Sequence, residues 1–281
     1  MRRRGPCMAS EPTPRPAAVN RDPRLLGIRL DPWDQGRVRL PLTPAPDGEL
    51  RINEVFVSLQ GEGLLAGVPS TFVRATGCNL RCAWCDSPTT SWRPSGERVA
   101  LSAVVQACAE GPRHVVLTGG EPLLHPPMVE LGRRLHAAGH HVTYETAGTV
   151  APEDVRCELM SLSPKLAHAT PDDPAWGPRH EARRWQPELV RRLMEHPWQL
   201  KLVVRAHDPA ALGEDLREVE SMVAELNVGE DERARVLLMP ECIDPDRLCA
   251  DYAALVPVCI EHGFTLGPRL HIAIFGHTPG T

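Results

Sequence analysis

Aromatic side chains are scarce in this sequence: four Phe, two Tyr and six Trp make up 4% of 281 residues. So few rings on which bases can stack argue against a platform for single-stranded nucleic acid. A basic surplus is also lacking, because 31 Lys and Arg stand against 36 Asp and Glu for a net charge of −5. No global positive field therefore exists to attract a phosphate backbone or an anionic membrane. No apolar run approaches the ~20 residues of a spanning helix. The opening "MRRRGPCMASEPTPRPAAVN" is basic but has no apolar stretch behind its arginines. It does not read as a secretory signal, and a cytoplasmic location is expected. Internal repeats are missing too.

What is present suits a globular protein. Hydrophobic residues make up 42% of the chain, enough for an ordinary core. Nine cysteines, an odd number in a chain with no secretory signal, argue against a disulfide framework. Most stand alone and read as small buried hydrophobes or surface thiols. Residues 1–20 read as a disordered Pro/Ala/Arg tail, 21–50 as an irregular extension and 51–281 as the main domain.

From Glu54 onward, short aliphatic or β-branched runs alternate with longer stretches of helical period. Strands are expected at 55–60, 70–76, 114–119, 141–146, 157–163, 199–204, 235–240 and 271–276. Helices are expected in "SAVVQACAE", "PMVELGRRLHAAG", "PELVRRLMEH", "DPAALGEDLREVESMVAELN" and "DPDRLCADYAALVPVCIEHG", with Pro near the first turn and Gly past the end as punctuation. Such alternation means a mostly parallel sheet with right-handed crossovers. About six strands, short of a closed eight, predict an incomplete α/β barrel. The segment 168–180, rich in Pro, Asp and Gly, reads as a loop insertion. "TGGEP", "ETAG", "SPK" and "PE" each follow a predicted strand. That is the edge where barrels and open sheets bind ligands.

The densest chemical signal is "GCNLRCAWCD" (77–86), with Cys78, Cys82 and Cys85 inside eight positions. Thiolates at short spacing suit zinc or an iron–sulfur cluster. The next Cys and His are Cys108 and His114, each across a predicted element, so one coordination position stays open. An open zinc site and a cluster with one uncapped iron both satisfy this chemistry.

The spacing C-x3-C-x2-C, with Trp84 before the last cysteine, resembles the radical S-adenosylmethionine (SAM) superfamily. The resemblance implies a partial (β/α)6 TIM-like barrel. It also implies a [4Fe–4S] cluster on Cys78, Cys82 and Cys85, whose open iron chelates SAM. Gly119, Gly120 and Glu121 of "TGGEP" match its glycine-rich SAM-binding strand end, where absent Cβ atoms let backbone amides approach a ligand. "INEVFVSLQGEG", "STFVRATGCNLRCAWCD", "SPK", "KLVV", "LLMPE" and "RLHIAIFG" together resemble the 7-carboxy-7-deazaguanine synthase family over roughly residues 50–276. That family rearranges 6-carboxy-5,6,7,8-tetrahydropterin to 7-carboxy-7-deazaguanine with loss of ammonia, by hydrogen abstraction with a 5′-deoxyadenosyl radical.

The same resemblance assigns roles residue by residue. Trp84, Asp86, Gly119, Gly120, Glu121, Ser163, Pro164, Lys165 and Glu241 match cofactor contacts. Leu59, Gln60, Gly61, Glu62, Arg74, Thr118 and His271 match substrate contacts, with Arg74 gripping the substrate carboxylate as a planar fork. Where relatives often have Thr after "CD", Ser87 stands here as the expected Mg²⁺ ligand, a hard oxygen in either case. The chain continues as "GHTPGT" past "AIFG", so a contact made by a terminal carboxylate in relatives is not carried over. A flavodoxin- or ferredoxin-type electron donor and a homodimer are implied as partners. A radical SAM activase of a glycyl-radical protein shares the cysteine spacing but needs no pterin grip. A non-catalytic iron–sulfur or zinc module gains nothing from "GGEP" and "SPK" on one edge.

Overall fold

A computed structural model describes residues 48–278 and 280. The predicted tail (1–20) and positions 21–47 of the predicted extension lie outside the described residues. Glu49 and Leu50, read as the end of that extension, already belong to the first strand. The elements run β1 (Glu49–Leu59), β2 (Pro69–Ala75), β3 (Glu97–Ala100), α1 (Leu101–Ala109), β4 (His114–Gly119), α2 (Pro126–Ala137), β5 (His141–Thr146), β6 (Leu159–Leu162), α3 (Gly177–Arg184), α4 (Pro187–Leu193), β7 (Trp198–Val204), α5 (Pro209–Glu225), β8 (Val236–Pro240), α6 (Pro245–His262), β9 (Thr265–Leu266) and α7 (Leu270–Phe275).

Among the described residues, nine strands form one sheet in the order β3-β1-β2-β4-β5-β6-β7-β8-β9. The β3–β1 and β1–β2 pairings are antiparallel, and from β2 onward every pairing is parallel. The result is the expected partial (β/α)6 barrel, open between β3 and β9, with the antiparallel strands β3 and β1 added at one edge and the two-residue β9 at the other. Helix punctuation follows the sequence. Asp208 accepts from the Ala210 and Ala211 amides ahead of α5, Asp244 accepts from Asp246 N ahead of α6, and left-handed Gly263 ends α6.

Strand side chains alternate between two faces, and residues paired in register share one. Val73, Leu117, Tyr144, Leu162, Leu200, Leu202 and Leu238 point outward into the main core with Val104, Leu131, Leu135, Val219 and Leu255 of the helices. The alternate positions carry Arg74, Thr118, Thr143, Glu145, Ser161, Gln199 and Lys201. Their register, Arg74 to Thr118 and Glu145 to Ser161 to Gln199, places polar groups side by side on the inner face.

Three expectations need correction. Of residues 271–276, read as a strand, 271–275 fall in α7 and Gly276 caps it, because β9 already occupies the free edge of β8 and the segment satisfies its backbone locally, Ala273 N donating to Arg269 O and Gly276 N to Ile272 O. The predicted loop at 168–180 ends inside α3, which starts at Gly177. The short strands β3 and β9 were not anticipated; four and two residues give little periodicity to read.

Candidate active site

β2 runs into the loop that carries the three cysteines. Cys78, Cys82, Cys85 and Trp84 gather with Leu80, Ala147 and Ala169 in one small apolar cluster. Backbone and polar contacts fix the loop: Gly77 N donates to Thr90 O, Ala83 N to Ala169 O, and Trp92 Nε1 to Cys82 O at 3.0 Å. Leu80 N lies 3.3 Å from Cys78 Sγ, and Ser91 Oγ lies 3.2 Å from Cys85 Sγ. Burial pushes the Cys78 thiol up to about 11 and the Cys82 thiol to about 12, so neither ionises near neutral pH without a metal to take the sulfur. Among the described residues no three His, Cys, Asp or Glu side chains stand close enough together to hold a single ion. Three soft donors from one loop in an apolar cluster suit the thiolate ligation of an iron–sulfur group.

The end of β4 presses on this loop. A Cβ on Gly120 would stand 2.4 Å from Gly77 O and 2.6 Å from the Cys78 Cβ, and one on Gly119, at φ +151, would stand 2.3 Å from Ala75 O. These glycines let strand end and cysteine loop touch. Glu121, expected at the cofactor, is instead fully buried. It accepts from Leu123 N, Thr146 Oγ1 and Ala147 N at 2.7–3.1 Å, which ties β4 to β5.

Past β6 come Ser163, Pro164 and Lys165. Lys165 Nζ donates to Ser163 Oγ at 2.9 Å and lies 5.7 Å from the Trp84 ring centroid. Among the described residues the buried Trp84 indole N–H has no hydrogen-bond partner, a donor left for a ligand beside the thiols. Trp84 also stacks with His168 at 5.8 Å. His168 Nδ1 lies 3.2 Å from Asp215 Oδ1, and its Nε2 lies 3.3 Å from Oε2 of Glu241, the residue just past β8. Burial alone would lower the His168 pKa, but Asp215 and Glu241 overcome it and raise it to about 9.

The residues matched to substrate lie on the inner face. Arg74 Nε is 2.8 Å from Glu54 Oε1, and its Nη1 reaches Ser87 Oγ at 3.4 Å. Ser87 Oγ in turn donates to Asp86 Oδ1 at 3.2 Å. This is a hard-oxygen pair beside a guanidinium, a set that suits Mg²⁺ and a carboxylate ligand. Thr118, in register with Arg74, is buried next to it.

Because β1 is antiparallel, the "QGEG" loop after Leu59 leaves from the opposite edge of the sheet and folds over the inner face. Leu64 N donates to Gln199 Oε1, and Gly63 has no room for a Cβ beside that side chain. Gln60 spends an amide N–H on Ser70 Oγ. Glu62 Oε2 is 2.8 Å from Lys201 Nζ, and Glu62 Oε1 is 3.2 Å from Arg269 Nε and 3.9 Å from His271 Nε2. Lys201 also pairs with Glu145 at 2.8 Å, and Arg269 Nη2 with Asp86 Oδ2 at 3.4 Å. Burial would raise the Glu62 pKa; Lys201 and Arg269 overcome it and hold the carboxyl far below its usual range. Burial lowers His271, against the pull of Glu62, favouring a neutral imidazole. Gly61 touches the His271 ring so closely that a Cβ would sit 2.1 Å from Nδ1.

The structure therefore brings the cysteines, "GGEP", "SPK" and Glu241 to one edge, with Arg74, Ser87, Glu62 and His271 on the adjoining inner face. Sequence reasoning gave no role to Glu54, Glu145, His168, Lys201, Asp215 or Arg269. The available signal was a charged residue inside an apolar run, as in "QLKLVV" and "HVTYET".

Comparison with known proteins bears on the family and the fold. Residues 72–161 match the Radical SAM superfamily. The chain is 44% identical over 245 residues to 7-carboxy-7-deazaguanine synthase of Halobacterium salinarum, covering 83% of this chain and 93% of that one. It is 42% identical over 243 residues to the protein of the same name from Rhodopirellula baltica, covering 84% and 91%. The crystal structure of QueE from Escherichia coli superposes with a TM-score of 0.59 over 79% of this chain and 95% of that one at 23% identity, a likeness of fold.

Proposed function

The chain belongs to the 7-carboxy-7-deazaguanine synthase family of radical SAM enzymes, and from that premise we propose the substrate and the residues that handle it. The substrate is 6-carboxy-5,6,7,8-tetrahydropterin, and the product is 7-carboxy-7-deazaguanine with loss of ammonia. A [4Fe–4S] cluster and SAM, when bound, supply a 5′-deoxyadenosyl radical that abstracts hydrogen from the pterin. Cys78, Cys82 and Cys85 hold the cluster. Gly119, Gly120, Ser163, Lys165, Trp84 and Glu241 hold SAM. Glu121 acts one step back, fixing the strand ends that carry them.

The protein's own work is to grip, orient and exclude water. Arg74 and a Mg²⁺ on Ser87 take the substrate carboxylate, while Glu62, an acceptor on both oxygens, meets the N–H groups of the pyrimidine edge. His271, a neutral imidazole, completes that wall. The observation that carries this reading is Arg74 Nη1 at 3.4 Å from Ser87 Oγ, which sets a carboxylate fork and a hard-oxygen donor two residues past the third cysteine. We further read residues 51–281 as the catalytic domain, a homodimer as the assembly, a flavodoxin- or ferredoxin-type protein as electron donor and the cytoplasm as location. Among the described residues no helix is long and apolar enough to cross a membrane.

The test is an anaerobic assay of cluster-loaded protein with SAM, reductant, Mg²⁺ and the carboxypterin. Formation of the deazaguanine chromophore is expected; SAM cleavage without it would assign the chain another radical SAM reaction. Arg74→Ala should weaken substrate binding by about ten- to a hundredfold, the worth of a charge-assisted pair, with iron content unchanged.

A further inference from the structure

We propose that Lys201 is a positioning residue for this reaction: its ammonium, 2.8 Å from Glu62 Oε2 and 2.8 Å from Glu145 Oε1, ties the loop after β1 to β5 across the inner face and so fixes the Glu62 carboxylate that meets the substrate. The inference rests on the substrate reading above.

Lys201 sits in the middle of β7 with its side chain only 3% exposed. An ammonium so placed is retained in a fold only when paired, since its desolvation is costly. Here it is paired twice, with groups from two other parts of the chain. Without it, Glu62 and Glu145 face each other as like charges with Arg269 reaching only Glu62. One carboxyl of such a pair takes up a proton. Because Arg269 still pairs with Glu62, Glu145 is the one that takes it, and Glu62, now held through Oε1 alone, is free to turn away from the substrate edge. The ammonium removes that outcome. It also sets the rotamer, because Lys201 holds Oε2 while Arg269 holds Oε1, leaving the remaining lone pairs of both oxygens in one orientation.

The experiment uses the full-length, cluster-loaded enzyme and the variants Lys201→Met, Glu62→Gln and their double. Lys201→Met keeps the stem and loses the charge. It is expected to lower kcat/KM for the carboxypterin at least tenfold and to weaken equilibrium binding of the carboxypterin to the unreduced protein by a similar factor, with iron per chain and SAM affinity unchanged. The double variant should be no more than about threefold worse than Glu62→Gln alone, because residues that act as a unit are not additive. Additive losses, or unchanged substrate binding in Lys201→Met, overturn the proposal. Should Lys201→Met fail to fold, Lys201→Met/Glu145→Gln restores the charge balance; it should fold, hold iron and remain impaired in substrate binding. Recovery of wild-type binding in that variant would mean that Lys201 merely neutralises Glu145, which also overturns the proposal. A wild-type protein that cleaves SAM yet neither binds nor converts the carboxypterin overturns the functional reading and this inference together. Conversion by wild type with Lys201→Met indistinguishable from it overturns this inference alone.

Discussion

His168 is caught between two carboxylates, Asp215 at 3.2 Å and Glu241 at 3.3 Å, and it stacks on Trp84 beside the cysteines. Its folded pKa is raised to about 9 from roughly 6.5 in the unfolded chain. A raised pKa contributes stability that is complete below the unfolded value and is lost as pH climbs through the folded one. The contribution is at most about 3 kcal/mol. Melting temperatures of wild type and His168→Gln should therefore differ most at pH 6 and converge toward pH 9.5; a gap that is constant across that range would show that the imidazole is not charged in the fold. Ser87 offers a second test at this scale. If its hydroxyl holds Mg²⁺, Ser87→Ala loses the stimulation of turnover by added Mg²⁺, while Ser87→Thr, which retains a hydroxyl, keeps it.

Elements decide whether these side chains can meet. The end of β4 lies against the cysteine loop only because Gly120 lacks a Cβ, which would stand 2.4 Å from Gly77 O, a backbone atom that cannot swing aside. Gly120→Ala is expected to fold with unchanged far-UV circular dichroism but to retain well under half of the wild-type iron after anaerobic reconstitution. Equal iron in the two proteins would mean that the contact yields more easily than its geometry suggests. The motif loops were legible beforehand because each lies within a few residues of a strand end and announces itself by Gly, Pro or Cys. The segment "HIAIFG" was not. Its alternation fits a strand, and short apolar runs do not separate strand from helix by period alone. What decided was tertiary: as helix α7 it buries Ile272 against Cys242 and Leu248 and leaves Ile274 56% exposed.

Across the whole molecule, the contacts hidden from sequence reading are the long-range ones. Lys201 and Glu62 are 139 positions apart, and Arg269 and Glu62 are 207 apart; only the closing of the sheet into a partial barrel brings them together. The same holds for the segment read as a loop insertion. It lies over the cysteine loop: Arg81 Nη1 donates to Cys78 O and Leu80 O, its guanidinium stands 4.0 Å from the Trp176 ring centroid, and Arg81 N donates to Nδ1 of the fully buried His180. A ring on a partly desolvated guanidinium contributes about 0.5–2 kcal/mol, which in a protein of this size shifts the melting temperature by only a few degrees. The larger consequence is access, since the ring covers one side of the loop that would hold an oxygen-sensitive cluster. Trp176→Ala should keep anaerobic kcat/KM within about threefold of wild type while shortening several-fold the half-life of bound iron in air, followed as loss of cluster absorbance. An unchanged half-life would mean that the cover over the cysteine loop comes from the backbone contact of Ala83 with Ala169 and not from the Trp176 ring.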